Sequence, residues 1–263
     1  MKTSLALLAT LLLLNSCASE LKKRCEATNW FEYGESVALS GKRLSADNFI
    51  DQCKKEKVDV NEAQADVGFK AGMGRYCTAD GAVETGRKGD VFNLDLCDAA
   101  AVSSLKKEYQ KGVVAYCRPK NGYEQGALGK TYKNVCPEKL EDPFLTQFKR
   151  GKRVYLSGII NSKEKEIRDA NREAEDASHN ESRLRGQLTG LIAAQTLMRS
   201  RSTSPEVESR FESDRSMLES RIYSESSKRR EKEREVQKLR SEISELQVQL
   251  RATDNDESGD EES

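Results

Sequence analysis

Heptad positions, most of them apolar, can be followed through the second half of the chain at alternating spacings of three and four residues. The first series is Leu156, Ile160, Lys163, Ile167, Ala170, Ala174, Ala177, Glu181, Leu184, Leu188, Leu191, Gln195 and Met198. The second series is Phe211, Arg215, Leu218, Ile222, Glu225, Arg229, Lys232, Val236, Leu239, Ile243, Leu246 and Leu250. This spacing is typical of coiled-coil helices, and arginine, glutamate and serine dominate the rest of this region. The pattern therefore predicts two long helices.

A short polar stretch that ends in Ser204-Pro205 separates the two series. Serine is a good N-cap and proline a good first helical residue, so the stretch predicts a tight turn between helices of about 45 residues each. Folding the second helix back on the first pairs Leu156 with Leu250 and Leu184 with Ile222. This complementarity favours an antiparallel hairpin. A parallel homo-oligomer through one helix and a solvated single helix are the alternatives.

The centre of this predicted hairpin is polar. In the same register Ala174 and Ala177 face Lys232 and Arg229, whose aliphatic stems could cover the small side chains. The least favourable layer places Glu181 opposite Glu225, which is a like-charge pair.

The chain opens with Lys2 and an apolar run of leucine and alanine. This run is too short to cross a bilayer as a helix and is typical of the core of a signal peptide. The following Leu14-Asn15-Ser16-Cys17 resembles the bacterial lipobox, which implies cleavage before Cys17 and lipidation of its sulfur. We therefore expect a signal peptide over residues 1–16 and a lipidated linker over 17–24. Ordinary cleavage after Ala18 is the alternative.

Six further cysteines lie between the linker and the heptad region, and none of them forms a Cys-x-x-Cys pair. They are Cys25, Cys53, Cys77, Cys97, Cys117 and Cys136. An even number of widely spaced cysteines in an exported segment predicts three disulfides rather than a metal site. Fifteen pairings are open, and sequential pairing is a working choice without a derivation.

The cysteine-rich region repeats itself about 40 residues further along, which indicates a duplicated supersecondary unit. Tyr76-Cys77 precedes Asp80-Gly81, and Tyr116-Cys117 precedes Asn121-Gly122 in the same way. The spaced glycines that follow are Gly86 and Gly89 in one copy and Gly126 and Gly129 in the other. Helical stretches are predicted before each Tyr-Cys pair, over about 61–77 and 98–117, and turns at the Asp-Gly and Asn-Gly pairs.

A looser first copy of the repeat extends from Trp30 to Gly41. Glycines at these spacings favour close backbone packing in a small disulfide-stapled fold over a glycine-lined ligand groove.

The stretch from Tyr116 to Pro137, with Tyr132 and Cys136-Pro137, resembles the bacterial lipoproteins grouped as domain of unknown function 2799. Their pattern is a tryptophan followed by glycines, then Tyr-Cys, a turn, a Gly-x-x-Gly pair, a tyrosine and Cys-Pro. The resemblance covers about residues 25–155 and leaves 160–263 outside. It implies an envelope lipoprotein and implies no activity.

Composition narrows the function classes. The 44 basic residues balance 44 acidic ones and the mean hydropathy is −0.75, which excludes a polytopic membrane protein and argues against a nucleic-acid partner. Nucleotide binding is not expected, because Glu124 stands where a P-loop would need its first glycine. The single histidine, His179, lies in a polar helical stretch. We therefore expect no catalytic residue, no metal and no cofactor.

The expected fold is mainly α. A small disulfide-stapled helical repeat domain over 25–155 precedes a two-helix coiled coil over 156–251 and a disordered acidic tail over 252–263. The expected function is that of a non-enzymatic envelope lipoprotein whose coiled-coil arm binds an envelope protein or self-associates. Because Ala18 rather than aspartate follows Cys17, the usual sorting rule of enteric bacteria favours the outer membrane, facing the periplasm.

The alternative is a glycan- or peptidoglycan-binding module. Its surface would consist of the aromatic residues of the repeats, which are Trp30, Tyr76, Tyr116, Tyr123 and Tyr132. Aromatic rings in so small a core more often pack inside, which favours the interaction arm.

Overall fold

The computed structural model describes residues 20–200 and 204–258, and all regular elements in these ranges are helical. The helices are α1 (20–26 as described), α2 (Trp30–Leu39), α3 (Asn48–Lys55), α4 (Glu62–Tyr76), α5 (Ala79–Arg87), α6 (Val102–Tyr116), α7 (Pro119–Ala127), α8 (Glu138–Arg199) and α9 (Pro205–Ser258). The predicted mainly α fold is confirmed. Within these ranges we find no helix with enough length and apolar character to span a bilayer.

The chain divides into two compact units. The disulfide domain comprises residues 20–124 and 130–148, and the hairpin unit comprises residues 125–129 and 149–258. Residues 20–26 are helical, so residues 20–24 of the predicted linker already belong to the fold.

The helix α8 begins at Glu138, well before Leu156, where its start was predicted. The missed signal is the four-residue spacing of Leu140, Phe144 and Phe148, which places three large apolar side chains on one face of the helix. Phe144 is fully buried, and Leu140 and Phe148 pack against the same core.

Three disulfides connect the cysteines in sequential order. They are Cys25–Cys53, Cys77–Cys97 and Cys117–Cys136, with Cα–Cα distances of 5.5–5.7 Å. The second and third bridges each join the C-cap of a helix to the segment that follows the next helix. Each repeat copy is therefore closed by its own bridge.

Each bridge packs in or against one of three small aromatic cores in the disulfide domain. The first surrounds Trp30, the second contains stacked Tyr76 and Phe92, and the third contains Tyr116 and Phe144. Because one domain of this size buries little surface in each core, the bridges supply stability that the cores alone do not.

The predicted turns at Asp80-Gly81 and Asn121-Gly122 are wrong, because both pairs lie inside helices α5 and α7. The Thr78 hydroxyl accepts the Gly81 N–H and caps α5. A Cβ at Gly81 would collide with the backbone carbonyls at the end of α4. This glycine therefore permits two successive helices to meet closely rather than a turn.

The left-handed backbone occurs instead at the last glycine of each copy. Gly41, Gly89 and Gly129 have φ values of +69°, +71° and +72°. Each lies against a tyrosine of a following helix, so that a Cβ would strike Tyr76 or Tyr116 in the disulfide domain, and Tyr155 in the hairpin unit. The same glycine–tyrosine contact in all three places supports a first copy that ends at Gly41.

The remaining helical glycines of the domain bring backbones together. A Cβ at Gly34 would collide with the Ala65 carbonyl, and one at Gly68 with the Phe31 carbonyl, so α2 and α4 are in close contact. A Cβ at Gly112 of α6 would likewise collide with the Val83 carbonyl of α5. These contacts agree with the packing interpretation of the glycines.

In the hairpin unit, α8 and α9 pair antiparallel. All the predicted heptad positions except Met198 and Arg215 are buried or half-buried. Ion pairs join the two helices in the order that a hairpin requires, with Lys163 bound to Glu242 and Lys232 lying 3.3 Å from Glu173. The predicted helical hairpin is confirmed.

The polar layer at Glu181 is not a like-charge clash. The Glu181 carboxylate accepts hydrogen bonds from Arg185 at 2.6 and 3.0 Å, and Arg229 of α9 lies 3.5 Å away. These guanidinium groups hold the pKa of Glu181 below its usual range. The layer is therefore neutralised by Arg185, one turn after Glu181 on α8, and by Arg229, one turn after Glu225 on α9.

The expected disorder of residues 252–263 is wrong for 252–258, because α9 continues to Ser258. An existing helix gains one hydrogen bond for each added residue without a new nucleation cost, which offsets the acidic composition. Residues 259–263 lie outside the described residues.

Candidate interaction surface at the distal end of the hairpin

The seam between α8 and α9 becomes less buried toward the connection between the two helices. Leu156 and Leu184 are 2% and 1% exposed, and Ile222 opposite Leu184 is also buried. Beyond this layer, the heptad residues Leu188, Leu191, Phe211 and Leu218 are only half-buried. We call residues 186–198 of α8 and 205–221 of α9 the distal segment.

The α8 part of the distal segment carries no charged residue, although the helix around it is rich in charge. Three of its large apolar side chains are exposed, with Ile192 at 41%, Leu197 at 68% and Met198 at 50%. Met217 of α9 is also exposed. Ile192 directly follows the seam position Leu191, so the apolar stripe is wider than a two-helix seam requires.

Two glycines in the distal segment have no close packing partner among the described residues. A Cβ placed at Gly186 or Gly190 would meet no heavy atom within 4 Å. Glycine inside a helix lowers stability by about 1 kcal/mol relative to alanine. In the disulfide domain, close backbone contacts offset this cost. Neither of these two glycines makes such a contact in the described hairpin unit.

An ion pair joins α8 and α9 at the distal end of the hairpin. Arg199 of α8 binds the Glu208 carboxylate of α9, and Gln195 donates to the same group at 3.1 Å. The hydrogen bond from Arg199 holds the pKa of Glu208 below its usual range. This pair fixes the register of the two helices where the apolar seam is weakest.

The aromatic residues predicted as an alternative ligand surface do not come together on one surface. Trp30, Tyr76 and Tyr116 are buried in the three separate cores. Tyr132 is half-buried beside Tyr116, where it donates to Glu141 and accepts the Cys136 N–H, and Tyr123 is 41% exposed. The three buried rings fill separate cores, so the five residues do not form a shared surface for a glycan.

The chemistry-bearing residues of the described chain are dispersed. His179 is exposed, with Glu175 3.8 Å away as its neighbour on the same helix. No group of three or more His, Cys, Asp or Glu side chains in the described ranges could hold a metal ion. Cys17, the predicted lipidation site, lies outside the described residues together with the predicted signal peptide.

One groove of the disulfide domain, of about 770 Å³, has a mixed lining. Phe69 and Met73 contribute apolar surface, while Lys54 and Glu62 form an ion pair of 2.9 Å at its edge. No buried polar group that lacks a partner lines this groove, so the geometry does not select a ligand.

The fold and surface define a disulfide-stapled helical repeat protein that continues into a helical hairpin with an exposed apolar end. The family model described as "Protein of unknown function (DUF2799)" matches the chain in two overlapping segments, 29–114 and 102–153. Residues 29–153 therefore belong to this family, as the resemblance predicted, and the second half of the chain lies outside the match. No curated protein and no solved structure matches the chain.

Proposed function

We propose that the chain is a non-enzymatic, lipid-anchored envelope protein that presents the α8–α9 hairpin as an interaction arm. The observation that carries this proposal is the exposed apolar surface of the distal segment, whose α8 part is uncharged although the hairpin around it is highly charged. Soluble proteins rarely expose several large apolar side chains together unless a partner covers them.

The rest of the hairpin suits a spacer. Its exposed faces carry ion pairs within each helix, such as Arg172–Asp169 in α8 and Arg229–Glu233 in α9. The hairpin helices, residues 149–199 and 205–258, are about 75–80 Å long at 1.5 Å per residue. The charged side chains keep these faces solvated, so the distal segment is the part of the hairpin that would bind a partner.

The cysteine usage supports an envelope location. Disulfides persist in oxidising compartments, and all six described cysteines are paired. We propose that Cys17 carries the acyl chains and that the protein is held at the outer membrane facing the periplasm. Two or more acyl chains suffice for stable anchoring.

A photo-crosslinking amino acid at position 197 of the full chain tests the arm in living cells. We expect irradiation to give discrete adducts, because Leu197 lies on the exposed apolar face. The matched control is the same amino acid at position 179, which is also exposed on α8 but lies among polar residues. Equal adduct yields at both positions, or none at position 197, would contradict the proposal.

A further inference from the structure

We infer that the partner of the distal segment is a second copy of this chain, so that two hairpins pack through their distal segments. This inference rests on the proposed function of the arm and names its partner. It is carried by the apolar side chains that are exposed away from the seam, by the matching outer faces of α8 and α9, and by their opposite net charges.

The distal segment exposes more apolar surface than one chain covers. Leu188, Leu191 and Phe211 stay half-buried, whereas each proximal apolar layer includes a buried residue, such as Leu156 or Ile160. Leu197 of α8 and Met217 of α9 lie on the sides of their helices away from the seam and are 68% and 54% exposed. A second hairpin packed against these sides would cover both residues.

The outer faces of the two helices match in size. On α8 the exposed face carries Gly186, Gly190, Ala193 and Leu197. On α9 it carries Ser209, Ser213, Ser216, Met217 and Ser220, all of them exposed. Small uncharged side chains on both faces let the two backbones approach closely, and this approach gives Gly186 and Gly190 a packing role.

The charges of the two helices are complementary in this region. Residues 183–199 of α8 include three arginines and no acidic residue. Residues 205–221 of α9 contain five acidic and three basic residues, including exposed Glu206, Glu212 and Asp214. Packing α8 of one copy against α9 of the other therefore brings opposite net charges together.

The expected dimer is weak in solution. The uncharged stretch of α8 spans about 20 Å of helix, which limits the contact to less than a standard interface of about 1,600 Å². Tethering both copies to one membrane would raise their effective concentration and favour the contact. Association should therefore depend on concentration.

The first test uses single cysteines in the full chain under mild oxidation. Ala193→Cys is compared with His179→Cys, which lies two heptads earlier on the same face of α8. We expect a disulfide-linked dimer to form at least about tenfold faster with Ala193→Cys. This position would be held in contact in the dimer, whereas His179→Cys should react only through random collision. Equal rates for the two variants would overturn the inference.

The second test uses two glycines that have empty space around them, so that folding and association respond differently. Gly190→Leu and Gly158→Leu both replace an open helical glycine of α8 and should both stabilise the helix. Only Gly190→Leu should weaken the dimer, by about tenfold or more in sedimentation equilibrium. A monomeric wild type at all concentrations, or equal affinities in both variants, would contradict self-association.

The two proposals fail in different ways. A position-197 adduct that contains a different protein, together with a monomeric chain, would remove the second copy as partner and leave the interaction arm in place. An adduct whose mass equals two copies of the chain supports both.

Discussion

At the scale of single residues, the repeated glycine–tyrosine contact fixes where each copy of the repeat ends. Gly89 combines a left-handed backbone with a ring directly above its Cα, so neither feature tolerates a side chain. Gly74, which lies in the interior of α4 with nothing within 4 Å, has neither constraint. The two positions therefore make a matched pair.

We expect Gly89→Ala to lower the free energy of unfolding by at least about 1–2 kcal/mol, because alanine resists the left-handed region and collides with Tyr116. Gly74→Ala should raise it by about 0.5–1 kcal/mol. Urea unfolding of the full chain, followed by near-ultraviolet circular dichroism of the tyrosines, measures both. A Gly89→Ala variant as stable as Gly74→Ala would show that this contact is not structural.

Buried tyrosines make the disulfide domain sensitive to alkali. Burial, with the hydrogen bond to Glu141, raises the pKa of Tyr132 to about 12 from an ordinary value of 10.0. Burial also raises the pKa of Tyr33, Tyr76, Tyr109 and Tyr116. Since folding favours the neutral phenol, this stabilisation is fully present below pH 10 and is lost as the pH rises through about 12.

Urea midpoints measured between pH 8 and pH 12 should therefore fall above about pH 10, and Tyr132→Phe should fall less steeply, because it removes one titrating phenol. Phenolate absorbance gives an independent measure, and most of the buried rings should ionise only with unfolding. A wild type and a Tyr132→Phe variant with identical pH profiles would exclude Tyr132 as a contributor.

Residue-scale features were only partly predictable from the sequence. The spacing of Tyr-Cys pairs and glycines indicated the repeat, but Asp80-Gly81 was assigned to a turn on its local preference. The structure shows that tertiary contact decides this position, since Gly81 packs against the carbonyls of the preceding helix. Such a contact has no signature within a short window of sequence.

At the scale of elements, the heptad pattern was sufficient to predict the hairpin and its register, because period and apolar layers are properties of the sequence itself. The start of α8 was missed because Glu138 to Phe148 follows a different apolar face, the one that fills the third aromatic core. Helix boundaries that depend on which core a face enters require the tertiary structure.

The hairpin predicts a specific crosslink. Cysteines replacing Ile160 and Leu246 in the full chain should form a disulfide within one chain, because the two residues lie in the same layer of the seam in the predicted register. The control pair, Ile160→Cys with Leu218→Cys, lies several turns apart in that register and should not react. Non-reducing electrophoresis and mass mapping distinguish the outcomes, and crosslinks found only between chains would refute the hairpin.

Removing one disulfide of the repeats should measurably lower the free energy of unfolding. Replacing both Cys77 and Cys97 by serine opens a loop of 20 residues, which should lower stability by about 3 kcal/mol according to the chain-entropy estimate. Urea unfolding of this variant and of the equivalent Cys117/Cys136 variant, whose loop is 19 residues, should show similar losses. A loss near zero for both would mean that the cores alone hold the repeats.

At the scale of the whole molecule, a stapled repeat domain and a long hairpin form one exported chain in the proposed account. The sequence predicted the family of residues 29–153, and the match confirmed it. The exposed distal segment could not be predicted, because heptad periodicity does not show how deeply each layer is buried. Leu184 and Leu191 occupy the same heptad position, yet Leu184 is buried and Leu191 is only half-buried.

The intact mass of the chain, purified from its native membranes with and without reduction, tests the account most directly. We expect a chain that begins at Cys17, carries acyl chains, and gains six hydrogens when its three disulfides are reduced. An unprocessed chain with six free thiols would contradict export, lipid anchoring and the stapled domain together.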